Sequence, residues 1–162
     1  MKKLIFLLII IISGILQVTL LNNIRIFYVK PDLLLICVVL ASLFFDFKWA
    51  FAFSIFAGIF KDSFIASPFG INTILFPVWC ILIVELAKKI SIDFDLIQLG
   101  LLFIISLLHN IVQGTTLIYL GNFIPFGIFL RNVSVSAIYT TLLSPLVFEI
   151  TNPIYSNPYR NQ

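Results

Sequence analysis

Long apolar runs occupy nearly all of this sequence and are separated only by short segments that carry charges, Pro or Gly. A soluble domain has about 25% charged residues, whereas only 10% of these 162 residues are charged and 61% are hydrophobic. The chain therefore has too few polar side chains to cover a water-facing surface. The sequence predicts an integral membrane protein.

A helix needs roughly 20 residues to cross the core of a bilayer. Against that length, the runs predict an all-α polytopic protein that forms a single integral membrane domain over residues 1–162. Short loops join six predicted transmembrane helices, which lie at about 4–21, 33–46, 49–65, 71–87, 96–120 and 128–150. The first run follows Met1-Lys2-Lys3 and could instead be a signal peptide. It is too long for a typical signal core, and no small-x-small cleavage site follows it. Small residues recur in the third run and permit close helix approach in lipid, so we expect the third helix to be central.

The basic residues lie singly or in pairs at the ends of the apolar runs, as membrane topology requires. No basic run or basic face suggests nucleic acid as a partner. With the amino terminus inside, the inner side collects Lys2, Lys3, Lys48, Lys88, Lys89 and Arg160, and the outer side collects Arg25, Lys30, Lys61 and Arg131. This bias predicts that both termini are cytoplasmic. Cys37 and Cys80 lie inside apolar runs and are predicted to be buried small hydrophobic residues.

Lys61 and Asp62 are adjacent charges at the end of the third run, and more than one arrangement suits them. Both could lie at the outer interface, with Lys61 extending its ammonium toward water. Alternatively, Asp62 could point inward and fix the Ser67–Gly70 turn through hydrogen bonds to the backbone. A solute or proton site at Asp62 is a third possibility.

The fifth run contains His109, Asn110 and Gln113, of which the first and last share a helical face. Polar side chains in mid-span avoid lipid. With Gln17 of the first run, they are expected to make interhelical hydrogen bonds or to line a cavity that holds a ligand. A single His without partner ligands at suitable spacing does not fill a metal shell, so no metal or cofactor is predicted. The chain has no phosphate-binding loop, nucleophile elbow or zincin motif, which indicates a non-enzymatic protein.

Three motifs then follow in order: Pro31-Asp32-Leu33-Leu34-Leu35, Ala57-Gly58-x-x-x-Asp62, and Ser67-Pro68-Phe69-Gly70-x-Asn72. In a chain of this length with six apolar runs, this order resembles MreD, the rod shape-determining membrane protein family of bacteria. The resemblance implies a fold similar to the substrate-binding S-components of vitamin transporters, which enclose a pocket near the outer face. We expect an architectural turn, with any pocket beside it, built from Gly58, Asp62, Pro68, Gly70 and Asn72.

The resemblance also implies a function: a non-enzymatic component of the cell-elongation (rod) complex in the bacterial cytoplasmic membrane. The expected partners are membrane lipid, the bitopic protein MreC, the glycosyltransferase and transpeptidase of lateral peptidoglycan synthesis, and indirectly the cytoskeletal MreB. The alternative is a small-solute-binding membrane module like the S-component of a vitamin transporter. That alternative predicts a bound small molecule against His109, Asn110 and Gln113.

Overall fold

A computed structural model describes residues 2–19, 29–64, 70–89 and 95–151. These residues form six helices: α1 (Lys2–Thr19), α2 (Leu33–Phe44), α3 (Phe47–Ser63), α4 (Ile71–Lys89), α5 (Asp95–Tyr119) and α6 (Phe126–Thr151). The predicted all-α class is confirmed. The helix ends lie within two residues of the ends of the predicted spans.

Four helices, α1, α4, α5 and α6, are long and apolar enough to cross a membrane. The other two are shorter, because α2 has 12 residues and α3 has 17. At 1.5 Å per residue, α2 is only about 18 Å long, against a hydrocarbon core of about 30 Å. The short helix α2 therefore starts and ends inside the bundle.

The centre of the bundle is α2. Every residue of α2 except Leu33 is buried, and α2 contacts all five other helices. A helix that is hydrophobic on all sides is stable when other helices surround it. The expectation that the third helix would be central is therefore wrong: α3 contacts α1, α2 and α4, and its small residue Gly58 packs closely against the backbone of α4.

Consecutive helices run antiparallel at the start of the chain. Phe6 near the start of α1 packs against Phe45 after α2, with ring centroids 4.9 Å apart, and against Phe53 of α3 at 5.2 Å. Phe45 and Phe53 are also 5.2 Å apart. This aromatic cluster closes one end of the bundle, and the polar side chains gather toward the other end.

Candidate functional site

The first turn of α2 is held by polar side chains from three parts of the chain. Asp32 is the N-cap, and its Oδ1 accepts from the Leu35 N–H at 3.2 Å. Gln17 of α1 accepts the Leu34 N–H at 3.2 Å and donates from Nε2 to Asp32 Oδ1 at 3.3 Å. Thr140 of α6 accepts the Asp32 N–H at 3.0 Å. A helix end within the bundle has no water for its free N–H groups, so these side chains take its place.

Asp32 also forms a buried ion pair with Lys61 of α3. The two side chains are only 9% and 8% exposed. The Lys61 ammonium lies 5.0 Å from the ring centroid of Phe76 in α4, within range of a cation–π contact. The arrangement in which Lys61 extends toward water is therefore wrong, because a carboxylate and an aromatic ring inside the bundle take up its charge.

His109 of α5 completes this polar cluster. The Trp79 indole N–H donates to His109 Nδ1 at 3.2 Å. Indole is a donor only, so Nδ1 is unprotonated and the neutral ring carries its proton on Nε2. That Nε2 lies 3.1 Å from Lys61 Nζ and 3.6 Å from Asp32 Oδ2. Lys61 uses Asp32 Oδ2 as its acceptor, and His109 Nε2 lies near that oxygen but beyond hydrogen-bond distance.

Asp62 faces away from this cluster and caps α4. Its Oδ1 accepts from the backbone N–H and the side-chain amide of Asn72, at 3.2 and 2.7 Å. Its Oδ2 accepts from the backbone N–H and hydroxyl of Thr73, at 2.8 and 2.6 Å. Asp62 is fully buried, which matches the inward arrangement and not the interfacial one.

Gly58, one helical turn before Asp62, lets α3 approach the same two residues. A Cβ at position 58 would lie 2.7 Å from the Asn72 carbonyl oxygen and 2.7 Å from Thr73 Cα, both backbone atoms. Gly70, just before α4, has a φ of +96°, a conformation that suits glycine. The predicted contribution of Pro68 lies outside the described residues. The described part of the architectural turn is thus a tight corner between α3 and α4.

A cavity of about 440 Å³ lies above the first turn of α2. It is at the end of the bundle remote from Lys2, because its α1 residues are Gly14, Gln17 and Val18. Its polar lining consists of Gln17, Lys30, Asp32, Lys61, Asn110, Gln113, Asn132 and Ser136, and its apolar lining includes Val18, Val29, Leu34 and Phe64. The short length of α2 leaves this space, since the longer helices continue past its start.

Of the four polar residues expected at a pocket, three line the cavity and one does not. Gln17, Asn110 and Gln113 line the cavity, whereas His109 lies beneath it, fully buried. Asn110 also donates to the Ser106 carbonyl of its own helix at 2.7 Å. None of the described turn residues, Gly58, Asp62, Gly70 and Asn72, lines the cavity, whereas the neighbouring Lys61 and Phe64 do.

Sequence reasoning missed the roles of Asp32, Trp79, Asn132 and Ser136. Asp32 carried a usable signal: an Asp directly before an apolar run is a good helix N-cap, and a lone carboxylate there needs a cation. Trp79, Asn132 and Ser136 carried none, since single polar groups in long apolar runs do not show which way they face. Among the described residues, no three His, Cys, Asp or Glu side chains lie close enough to hold a metal ion.

The charged groups of the site satisfy one another. The carboxylate and ammonium neutralise each other, and the imidazole is held by Trp79 on one side and by the ion pair on the other. Comparison of the chain with protein-family models, curated proteins and solved structures finds no match.

Proposed function

We propose that this protein is a non-enzymatic membrane component of the bacterial cell-elongation complex, of the MreD kind. The observation that carries the proposal is the placement of the motif residues. Asp32 of the Pro-Asp-Leu-Leu-Leu motif holds α2 to α1, α3 and α6. Gly58, Asp62 and Asn72 of the other two motifs interlock α3 and α4. A motif whose residues build the frame of the bundle suits a scaffold.

The partners follow from the same proposal. A bitopic MreC-like protein would contact the bundle through its transmembrane helix, and the glycosyltransferase and transpeptidase of the complex would join through it, with MreB linked indirectly. The outer surface suits lipid or an apolar helix. On α1, for example, Leu4, Leu8, Ile12 and Ile15 are all exposed and lie on one helical face.

Depletion in the native bacterium tests the proposed function. We expect rod-shaped cells to become round as the protein is lost, and expression of the wild-type chain to restore the rod. The variant Lys48→Met, which changes only an exposed lysine, serves as a control and should restore cell shape as well as the wild-type chain does. Cross-linked membranes should yield a bitopic cell-shape protein on purification. Depleted cells that keep their length and width would refute the proposal.

A second candidate function is supported by the cavity. Its volume of about 440 Å³ lies within the roughly 300–1,000 Å³ that is typical of small-ligand sites. The chain would then act as a solute-binding module similar to an S-component. Purification with an ATPase transporter core, instead of a bitopic protein, would favour this candidate over the scaffold.

A further inference from the structure

Three polar side chains that line the cavity have unused hydrogen-bonding capacity. Within the part of the chain that the structure describes, Gln113, Asn132 and Ser136 make no side-chain hydrogen bond, although all three face the cavity. Ser136 is only 6% exposed, Gln113 is partly buried and Asn132 is exposed. Polar groups in such places are normally paired, in proteins and especially in lipid. These groups are therefore available to bind water or a ligand in the cavity.

The type of these groups restricts what binds. An amide offers two donors and an acceptor oxygen, and a hydroxyl offers one donor and two lone pairs. The complementary ligand needs both donors and acceptors at several neighbouring positions. Neither a carboxylate, which only accepts, nor an ammonium, which only donates, matches this set.

The charge at the cavity floor points the same way. Asp32 and Lys61 neutralise each other there, so the floor presents no net charge to a ligand. The remaining cation, Lys30, has an interaction of its own. A cationic ligand group would lose its hydration without gaining a free anion, because Asp32, the one carboxylate of the lining, is already paired with Lys61.

The apolar part of the lining includes an aromatic ring. Phe64 is 49% exposed and lines the same cavity as Gln113 and Asn132. The face of an aromatic ring is electron-rich and attracts weakly positive hydrogens. The C–H face of a sugar ring fits against such a surface, while its hydroxyls reach the amides.

An adjoining cavity of about 140 Å³ extends the site between α5 and α6. It shares Asn110, Gln113 and Asn132 with the first cavity, and its other walls are apolar: Gly114, Leu117, Ile124, Phe129 and Val133. A polar group in the larger cavity could thus carry an apolar chain into the smaller one. The sugar headgroup of a lipid would use both.

We propose that the cavity binds an uncharged polyhydroxylated group, supplied either by a free sugar or polyol or by the headgroup of a neutral glycolipid. This deepens the second candidate function and does not depend on the cell-shape role. Gln113, Asn132 and Ser136 supply the hydrogen bonds, and Phe64 supplies the ring face. The ion pair below adds no net charge to the cavity floor.

Binding is measured on the purified full-length chain as a ligand-dependent rise in unfolding temperature. Glucose, inositol and glycerol are the free probes, and glucuronate and glucosamine are charged analogues of the same ring. Nanodiscs containing monoglucosyl diacylglycerol are compared with nanodiscs of phosphatidylcholine alone. Stabilisation by free glucose or inositol supports a soluble ligand, and stabilisation by the glycolipid alone supports a headgroup.

Two variants on α6 separate the site from general stability. Ser136→Ala should weaken binding about 2- to 10-fold, the effect of one neutral hydrogen bond. Ser134→Ala, two residues away and outside the cavity lining, should leave binding unchanged. Tighter binding of glucuronate or glucosamine than of glucose would overturn the proposal, as would failure of every neutral probe to bind. Because binding is measured in vitro, either result leaves the depletion experiment to decide the scaffold function separately.

Discussion

Replacing Lys61 with Met tests the ion pair at the centre of the bundle. Met keeps most of the side-chain length but removes the ammonium from Asp32, whose side chain is only 9% exposed. The carboxylate would retain one backbone donor, Leu35, and one amide donor, Gln17. Removing one partner of a buried pair costs about 3–5 kcal/mol, because the other charge remains buried without compensation. We expect Lys61→Met to lower the unfolding temperature by about 10 °C.

The chain contains its own reporter for this measurement. Cys37 and Cys80 are its only cysteines, and both are free and fully buried. A maleimide dye reacts with them only when the bundle opens, so heating the purified protein with the dye records unfolding. Equilibrium unfolding in a denaturing detergent then converts the shift into a free energy.

Two further variants determine whether the ion pair causes the loss. Lys48→Met removes an exposed lysine of the same helix and should change stability by less than about 0.5 kcal/mol. The double variant Asp32→Asn with Lys61→Met removes both charges and should be more stable than Lys61→Met alone. If Lys61→Met unfolds at the wild-type temperature, or if the double variant is the less stable of the two, the reasoning about a buried pair is wrong.

Three other predictions use the same unfolding assay or a single spectrum. Gly58→Ala should destabilise by about 1–3 kcal/mol through overpacking against the α4 backbone, whereas Gly100→Ala, with open space around it, should be neutral or slightly stabilising; equal effects would contradict the close approach. Asp62→Ala leaves the first turn of α4 without its cap and should cost about 1–3 kcal/mol, and unchanged unfolding would refute that role. Trp79→Phe removes the donor to His109 Nδ1. The ¹⁵N spectrum of this sole histidine should therefore change from that of the Nε2–H tautomer to that of a mixture of tautomers. A mixture of tautomers in the wild-type protein would contradict the assignment.

The helices were predictable from sequence because their signal is local. Most apolar runs end at a charge, a Pro or a Gly, and the first ends at Asn22. The observed helix ends lie within two residues of the predicted span ends. The inward orientation of Asp62 was one of three possibilities that the sequence left open. Its choice depends on Asn72 and Thr73, ten and eleven residues away, which is still close enough for a turn to bring them together.

The polar cluster could not be predicted, because its members are distant along the chain. Asp32 and Lys61 are 29 residues apart, and Asp32 and Thr140 are 108 apart. Hydropathy assigns each residue to a helix but does not give the rotation of that helix about its axis. Lys61 therefore suited an interfacial position from sequence alone. Its true partner follows only from the packing of α3 against the start of α2.

The central position of α2 explains both the ion pair and the cavity. A helix of 12 residues surrounded by longer ones begins inside the bundle, where its N–H groups and the carboxylate that caps them are largely shielded from bulk water. Asp32 then requires a cation, and Lys61 of α3 supplies it. The space above the same short helix remains unfilled by backbone and is lined by amides from α5 and α6. Lengthening α2 by one turn would fill the cavity and displace Asp32 from Lys61, so the binding site and the frame of the bundle depend on the same local feature.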